Sequence, residues 1–221
     1  MTLLPDTPLF PTGQDHYKDW QGLSDGSLAA VLAEVARTTD GPLLVAAPDS
    51  SRAQQLADAL GFYLAGTPVA GNPGSAGEVP VMLFPDWETL PYDLFSPHQD
   101  IVSDRIRVLN WLHGASTGVL VVPVNTLMQR IAPPLHISGN SFMLRVGETF
   151  DMESTRARLV DCGYRQRDNV YEHGEFAVRG AIMDVFPMGS EQPFRFELFD
   201  QDIEILRLFD PEYQRSTGQV S

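Results

Sequence analysis

The chain has one lysine, Lys18, and one cysteine, Cys162, among its 221 residues. A single cysteine excludes an internal disulfide, and a reducing, cytoplasmic setting is the simplest reading. The single lysine is followed by Asp19 and precedes Gly22, so no G-x-x-x-x-G-K-[ST] phosphate loop can be assembled around it. Positive charge is scarce altogether: 15 Lys and Arg against 29 Asp and Glu leave a net charge of −14. That balance argues against a broad, charge-driven grip on nucleic acid, which depends on many cations neutralising phosphates. No apolar run approaches the ~20 residues of a membrane helix. The first residues lack the basic and apolar stretches of a secretory signal, so no membrane partner is expected. His16, His98, His113, His136 and His173 are scattered without an i,i+4 pair, and no metal site is expected from them.

What is present fits a globular protein of two domains: 43% hydrophobic and 20% charged residues over a length too great for one ordinary domain. Residues 24–37 carry a helical stripe of Leu28, Val31, Leu32, Val35 and Ala36, with Ser24 or Asp25 as cap. Gly41-Pro42 breaks the chain before a short apolar strand at 43–47, and Pro48-Asp49-Ser50-Ser51 opens a helix ending near Gly61. A Gly/Pro-rich loop at 66–78 leads to a strand at 79–84. A helix at 99–113 presents Val102, Ile106, Leu109 and Leu112, and a strand at 119–124 precedes a short helix at 126–131. Strands alternating with helices predict a parallel sheet covered on both faces. After Pro133-Pro134 the pattern changes to a strand at 142–146, a helix at 152–161, and strands at 175–179, 181–186, 193–199 and 203–209. The expected fold is therefore an α/β parallel-sheet domain over 1–139, followed by a small α+β domain over 140–221.

Between the second strand and the third helix lies Leu83–Asp100, where Pro85, Pro91 and Pro97 recur every six residues among Phe84, Trp87, Tyr92 and Phe95. Proline blocks helix there and removes backbone donors, so this aromatic segment is held extended with a defined shape.

Candidate chemistry is thin in the first domain. Gly22-Leu23-Ser24-Asp25-Gly26 fits G-x-S-x-G, but that elbow needs an apolar strand before it, and Asp15–Gln21 is not one. A glycine-flanked helix cap is the expected role. No catalytic residue and no carboxylate pair is nominated. In the second domain, Phe194–Asp200 alternates so that Phe194, Phe196 and Leu198 face one side and Arg195, Glu197 and Phe199 the other. Arg179 lies on a neighbouring strand, on the same side as Glu175. Aromatic plus arginine on a polar face is the composition of a protein-binding hot spot. The alternative is that both arginines pair with nearby carboxylates while Phe199 packs under a loop; spacing alone leans to that alternative.

The motifs Trp87–Asp93, Ser96–Asp100, Pro123–Arg130, Glu172–Glu175 and Arg179–Glu191 resemble the N-terminal region of the bacterial transcription-repair coupling factors (Mfd), and the likeness runs from about residue 20 onward. The block around Trp87 is shared more loosely with the excinuclease protein UvrB. The resemblance implies a UvrB-like module: a degenerate P-loop/RecA-like domain 1a at 1–139 that binds no ATP, and a domain 2 at 140–221 that recruits UvrA. It places the UvrA contacts at Arg179, Arg195 and Phe199. It also implies that intact members are longer, with RNA polymerase and double-stranded DNA bound elsewhere and ATP and Mg confined to translocase domains. The chain would then be a non-catalytic fragment without a cofactor, its docking surface masked in the intact protein until polymerase is engaged. Because Asp100 runs directly into the helix ending at 113, there is no room for the long aromatic hairpin with which UvrB clamps DNA, and lesion verification is not expected. The competing expectations are a fragment of UvrB or a stand-alone α/β hydrolase or ATPase.

Overall fold

A computed structural model of the chain describes residues 17–65, 79–89, 93–139 and 144–219. In chain order its first elements are α1 (Asp25–Thr38), β1 (Gly41–Ala47), α2 (Ser50–Leu64), β2 (Val81–Leu83), α3 (Gln99–Gly114), β3 (Thr117–Pro123), α4 (Val124–Leu127) and α5 (Pro134–Gly139). Then come α6 (Met152–Asp161), β4 (Arg165–Gln166), β5 (Glu175–Arg179), β6 (Ile182–Phe186), β7 (Phe194–Phe199), β8 (Asp202–Asp210) and β9 (Arg215–Gln219). They gather into two compact units: the described residues up to Asp86 with Gly114–Arg130, and Trp87–His113 with Ile131 onward. Where the sequence reading sets one boundary after residue 139, the contacts group α3 with the second unit.

The first unit is a parallel sheet in the order β1-β3-β2. Its core is built from Ala33 and Ala36 of α1, Leu56, Leu60 and Leu64 of α2, Val45 of β1, and Val119 and Val121 of β3. Ser24 caps α1 through its Oγ, which accepts the Ser27 N–H, and Asp49 caps α2 by accepting the Arg52 N–H at 2.8 Å. α2 runs past Gly61 because Leu60 and Leu64 are both fully buried, and burying each stabilises by about 1.5–3 kcal/mol against the modest helix cost of a glycine. The sheet is less covered than expected: Pro42, Leu44 and Ala46, which alternate with the core positions of β1, are exposed. The helix expected at 126–131 forms earlier, at Val124–Leu127. There the side chains of Asn125, Thr126 and Gln129 all donate to the Asp86 carboxylate, at 2.7, 3.2 and 2.9 Å.

The second unit holds a six-stranded sheet in sequential order from β4 to β9, antiparallel except for the β4–β5 pair. One face carries the apolar core of Phe176, Met183, Val185, Phe196, Ile203 and Leu206, closed by Leu159 of α6 and by Phe150, whose ring meets Phe196 edge-on at 4.8 Å. The helix α3 joins this unit through polar contacts that a stripe analysis does not anticipate. Ser103 Oγ accepts the Gly189 N–H at 2.8 Å, Arg107 pairs with Glu191 at 2.8 Å, and Asp100 meets the His173 ring at 2.9 Å. Ser103, Arg105 and Val108 are the buried residues of α3, while Leu112 of the expected apolar face is exposed. Arg105 lies 4.0 Å over the Trp87 ring, so an aromatic of the Leu83–Asp100 segment shields a buried cation.

Two further expectations need adjustment, and one strand goes beyond them. The strand at 79–84 is only Val81–Leu83. Within the strand expected at 142–146, Phe142 and Met143 lie outside the described residues, and Val146 sits in a turn with Gly147 at φ +85°. The strand β9, Arg-Ser-Thr-Gly-Gln, carries no apolar alternation because every residue of it is exposed at the sheet edge. The loop at 66–78 and Leu90-Pro91-Tyr92 also lie outside the described residues.

Candidate functional site

The face of the second sheet opposite the apolar core is organised around one carboxylate. Register places Ala177, Asp184, Arg195 and Arg207 in a single row across β5, β6, β7 and β8. Asp184 lies in the run Ile-Met-Asp-Val-Phe, and its side chain is 0% exposed. A buried ionised carboxylate costs several kcal/mol unless it is paired and hydrogen-bonded. Here Arg195 meets it two-pronged, Nε to Oδ1 at 2.6 Å and Nη2 to Oδ2 at 2.8 Å. The Arg179 Nη2 also donates to Oδ2. The Asp184 hydrogen bonds push the Arg195 guanidinium pKa further up, against the opposing pull of burial. The Arg195 guanidinium additionally lies 5.0 Å from the Phe209 ring, within cation–π range.

The expected residues are therefore brought together, but with a changed division of exposure. Arg179 is two strands from Arg195 rather than on its neighbour, because β6 runs between them. It reaches the shared carboxylate from the end of β5, where Gly180, at φ +63°, makes the tight turn into β6. Only glycine adopts that backbone without strain. Its Nη1 donates to Asn169 Oδ1 at 3.0 Å and to the Asp168 carbonyl at 3.1 Å. The Arg179 side chain stays 43% exposed, whereas that of Arg195 is 17% exposed. Phe199 does not pack under a loop: it ends β7 at the two-residue hairpin Asp200-Gln201 and is 73% exposed. The arginines are thus ion-paired, as the alternative reading has it, while Phe199 is not buried as that reading requires. Two guanidiniums share one carboxylate, Glu197 of the same face lies 3.8 Å from Arg207, and Phe199 ends the strand that carries Arg195.

A second buried carboxylate steadies the loop that holds Arg179. Glu175 accepts the backbone N–H of Tyr171 and Glu172 through Oε2, at 3.1 and 3.2 Å, and Arg167 Nε through Oε1 at 3.1 Å. Burial pulls its pKa up, but those hydrogen bonds and the charge of Arg165 outweigh it and hold the carboxyl below its ordinary value of 4.5. Glu175 shares a sheet side with Arg179, as alternation requires, yet it serves Arg165 and Arg167.

Sequence reasoning did not single out Asp184, Asn169 or Phe209. A lone acid inside an apolar β-run was the available signal, since such a group demands cationic partners. At the other end of the chain, Ser24 is a helix cap and not a strained nucleophile: residues 17–21 form no strand, and Asp25 pairs with Arg52 at 2.5 Å. Among the described residues, no cluster of three or more His, Cys, Asp or Glu is placed to hold a metal ion, and no helix is long and apolar enough to cross a membrane.

The UvrB interaction domain family matches residues 142–221, the stretch that contains Arg179, Asp184, Arg195 and Phe199. The chain is similar to the transcription-repair-coupling factor of Escherichia coli (strain K12), 42% identical over 198 residues, which is 90% of this chain and 16% of that protein. It is 37% identical over 214 residues to the transcription-repair-coupling factor of Haemophilus influenzae, covering 97% of this chain and 18% of that protein. The Myxococcus xanthus transcription-repair-coupling factor is 35% identical over 201 residues, again 90% of this chain and 16% of the relative. The chain therefore spans less than a fifth of the length of these relatives.

Proposed function

Because residues 142–221 belong to the UvrB interaction domain family and nearly all of the chain is homologous to part of the transcription-repair-coupling factors, we propose that this chain is a non-catalytic adaptor whose second unit docks UvrA. The observation that carries the reading is the shared face of Arg179, Arg195 and Phe199, which combines ion-paired guanidiniums with an exposed ring. Its complement is a surface with a carboxylate opposite Arg179 and an apolar recess for Phe199. Aromatic and arginine anchors of this kind dominate protein interfaces, and charge pairs desolvated on docking can each be worth ~2–5 kcal/mol.

In this reading UvrA is brought to lesions at which RNA polymerase has stalled. RNA polymerase, double-stranded DNA, ATP and Mg are assigned to regions of the relatives outside the matched stretch. The first unit supplies a scaffold of the nucleotide-binding type without its lysine, and the setting is cytoplasmic. Titration of the chain with purified UvrA tests the proposal. Binding that weakens in Arg179→Ala and in Phe199→Ala supports it, and equal affinity in both variants and the unsubstituted chain refutes it.

A further inference from the structure

The arginines of this face depend on a group that cannot itself touch a partner. Asp184 has no exposed side-chain surface, and its two oxygens accept from both Arg195 and Arg179. An unrestrained arginine loses about 2 kcal/mol of rotamer entropy when it is fixed in a complex. Arg179 has already lost much of that freedom, because Asp184 holds one of its terminal nitrogens and Asn169 with the Asp168 carbonyl holds the other. Arg195 occupies both oxygens of Asp184 and lies by Phe209, so it fixes the carboxylate in place more than it faces outward.

We infer that Asp184 is the positioning residue of the docking face: it presents Arg179 in a fixed orientation on the face that also carries Phe199, and Arg195 acts mainly through it. The inference rests on the UvrA-docking reading given above. It assigns the outward contacts to Arg179 and Phe199 and the alignment to Asp184, Arg195 and Asn169. Fixing a contact side chain before association raises affinity by reducing what must be ordered at the moment of binding.

The test is a double-mutant cycle in UvrA affinity, with urea unfolding of each variant as a control. Asp184→Asn keeps the shape and removes the charge; it is expected to weaken UvrA binding roughly tenfold, equivalent to about 1.4 kcal/mol. In an Arg179→Ala background the same change is expected to cost less than about twofold, since a group acting through Arg179 has nothing left to position. Losses that multiply across the two sites overturn the inference. Should Asp184→Asn fail to fold, Asn169→Ala, which releases only the other side of Arg179, decides by the same criterion. A loss of a few-fold that vanishes beside Arg179→Ala supports positioning, and an unchanged or fully additive effect refutes it. If Arg179→Ala and Phe199→Ala both bind UvrA normally, the docking reading falls and the inference with it. If they bind weakly while Asp184→Asn and Asn169→Ala bind normally, only the inference falls.

Discussion

Replacing Arg195 with alanine perturbs the fold before it perturbs any partner. Asp184 is fully buried, and Arg195 supplies two of its three charge-assisted hydrogen bonds. Removing one partner of a buried pair costs about 3–5 kcal/mol when the remaining charge is left uncompensated. Arg179 still holds Oδ2, which argues for the low end, while the cation–π contact with Phe209 adds about 0.5–1 kcal/mol to the loss. The expected destabilisation is therefore about 3.5–4 kcal/mol. Arg179→Ala should cost no more than about 1 kcal/mol, because that side chain is 43% exposed and Asp184 keeps its two-pronged partner. Urea unfolding followed by circular dichroism measures both. With slopes of about 1–3 kcal/mol per molar urea, the Arg195→Ala midpoint should fall by more than 1 M and that of Arg179→Ala by a fraction of that. Equal midpoints for the two variants, or an Arg195→Ala protein as stable as the parent, would refute the claim that Asp184 is held chiefly by Arg195. The consequence for binding studies is direct: weakened UvrA binding by Arg195→Ala is interpretable only beside its stability, whereas Arg179→Ala tests the proposed contact itself.

Other outcomes follow from the same packing. Glu175 has a depressed folded pKa, so its stabilisation is fully present above its unfolded value of 4.5 and fades as pH falls through the lower folded value. Glu175→Gln should be less stable than the parent at neutral pH and should lose less on acidification below 4.5; parallel stability–pH curves would contradict this. Phe196 is 1% exposed in the second core and meets Phe150 edge-on, so Phe196→Ala should cost about 3–5 kcal/mol by urea unfolding. A cost under about 1 kcal/mol would mean that the core is not as described.

The fold was legible wherever burial forces a period on the sequence. Strand β7 alternates because Phe194, Phe196 and Leu198 pack with Phe176, Met183 and Leu206, and α1 carries both stripe and cap. What escaped were elements without that pressure. β9 is polar throughout because its residues are exposed, and β4 is two residues long. The short helix α5 begins at Pro134, where proline reads as punctuation although its fixed φ suits a first helical turn. α3 lies where it is expected, but its buried residues include Ser103, which accepts the Gly189 N–H, and Arg105, which lies over the Trp87 ring, contacts that no stripe announces. The site was half legible for the same reason. Alternation put Arg195 and Phe199 on one face, but nothing local shows that Asp184, from the strand between, would gather both arginines.

The central claim, that the second unit docks UvrA through this face, is tested most directly at Phe199. That ring is 73% exposed at a hairpin end, so Phe199→Ala removes a contact without opening the core. Isothermal titration of UvrA into the chain and into this variant should show a loss of about 2 kcal/mol or more, roughly 30-fold in affinity, with unfolding midpoints unchanged. Identical affinities for the two proteins would contradict the account.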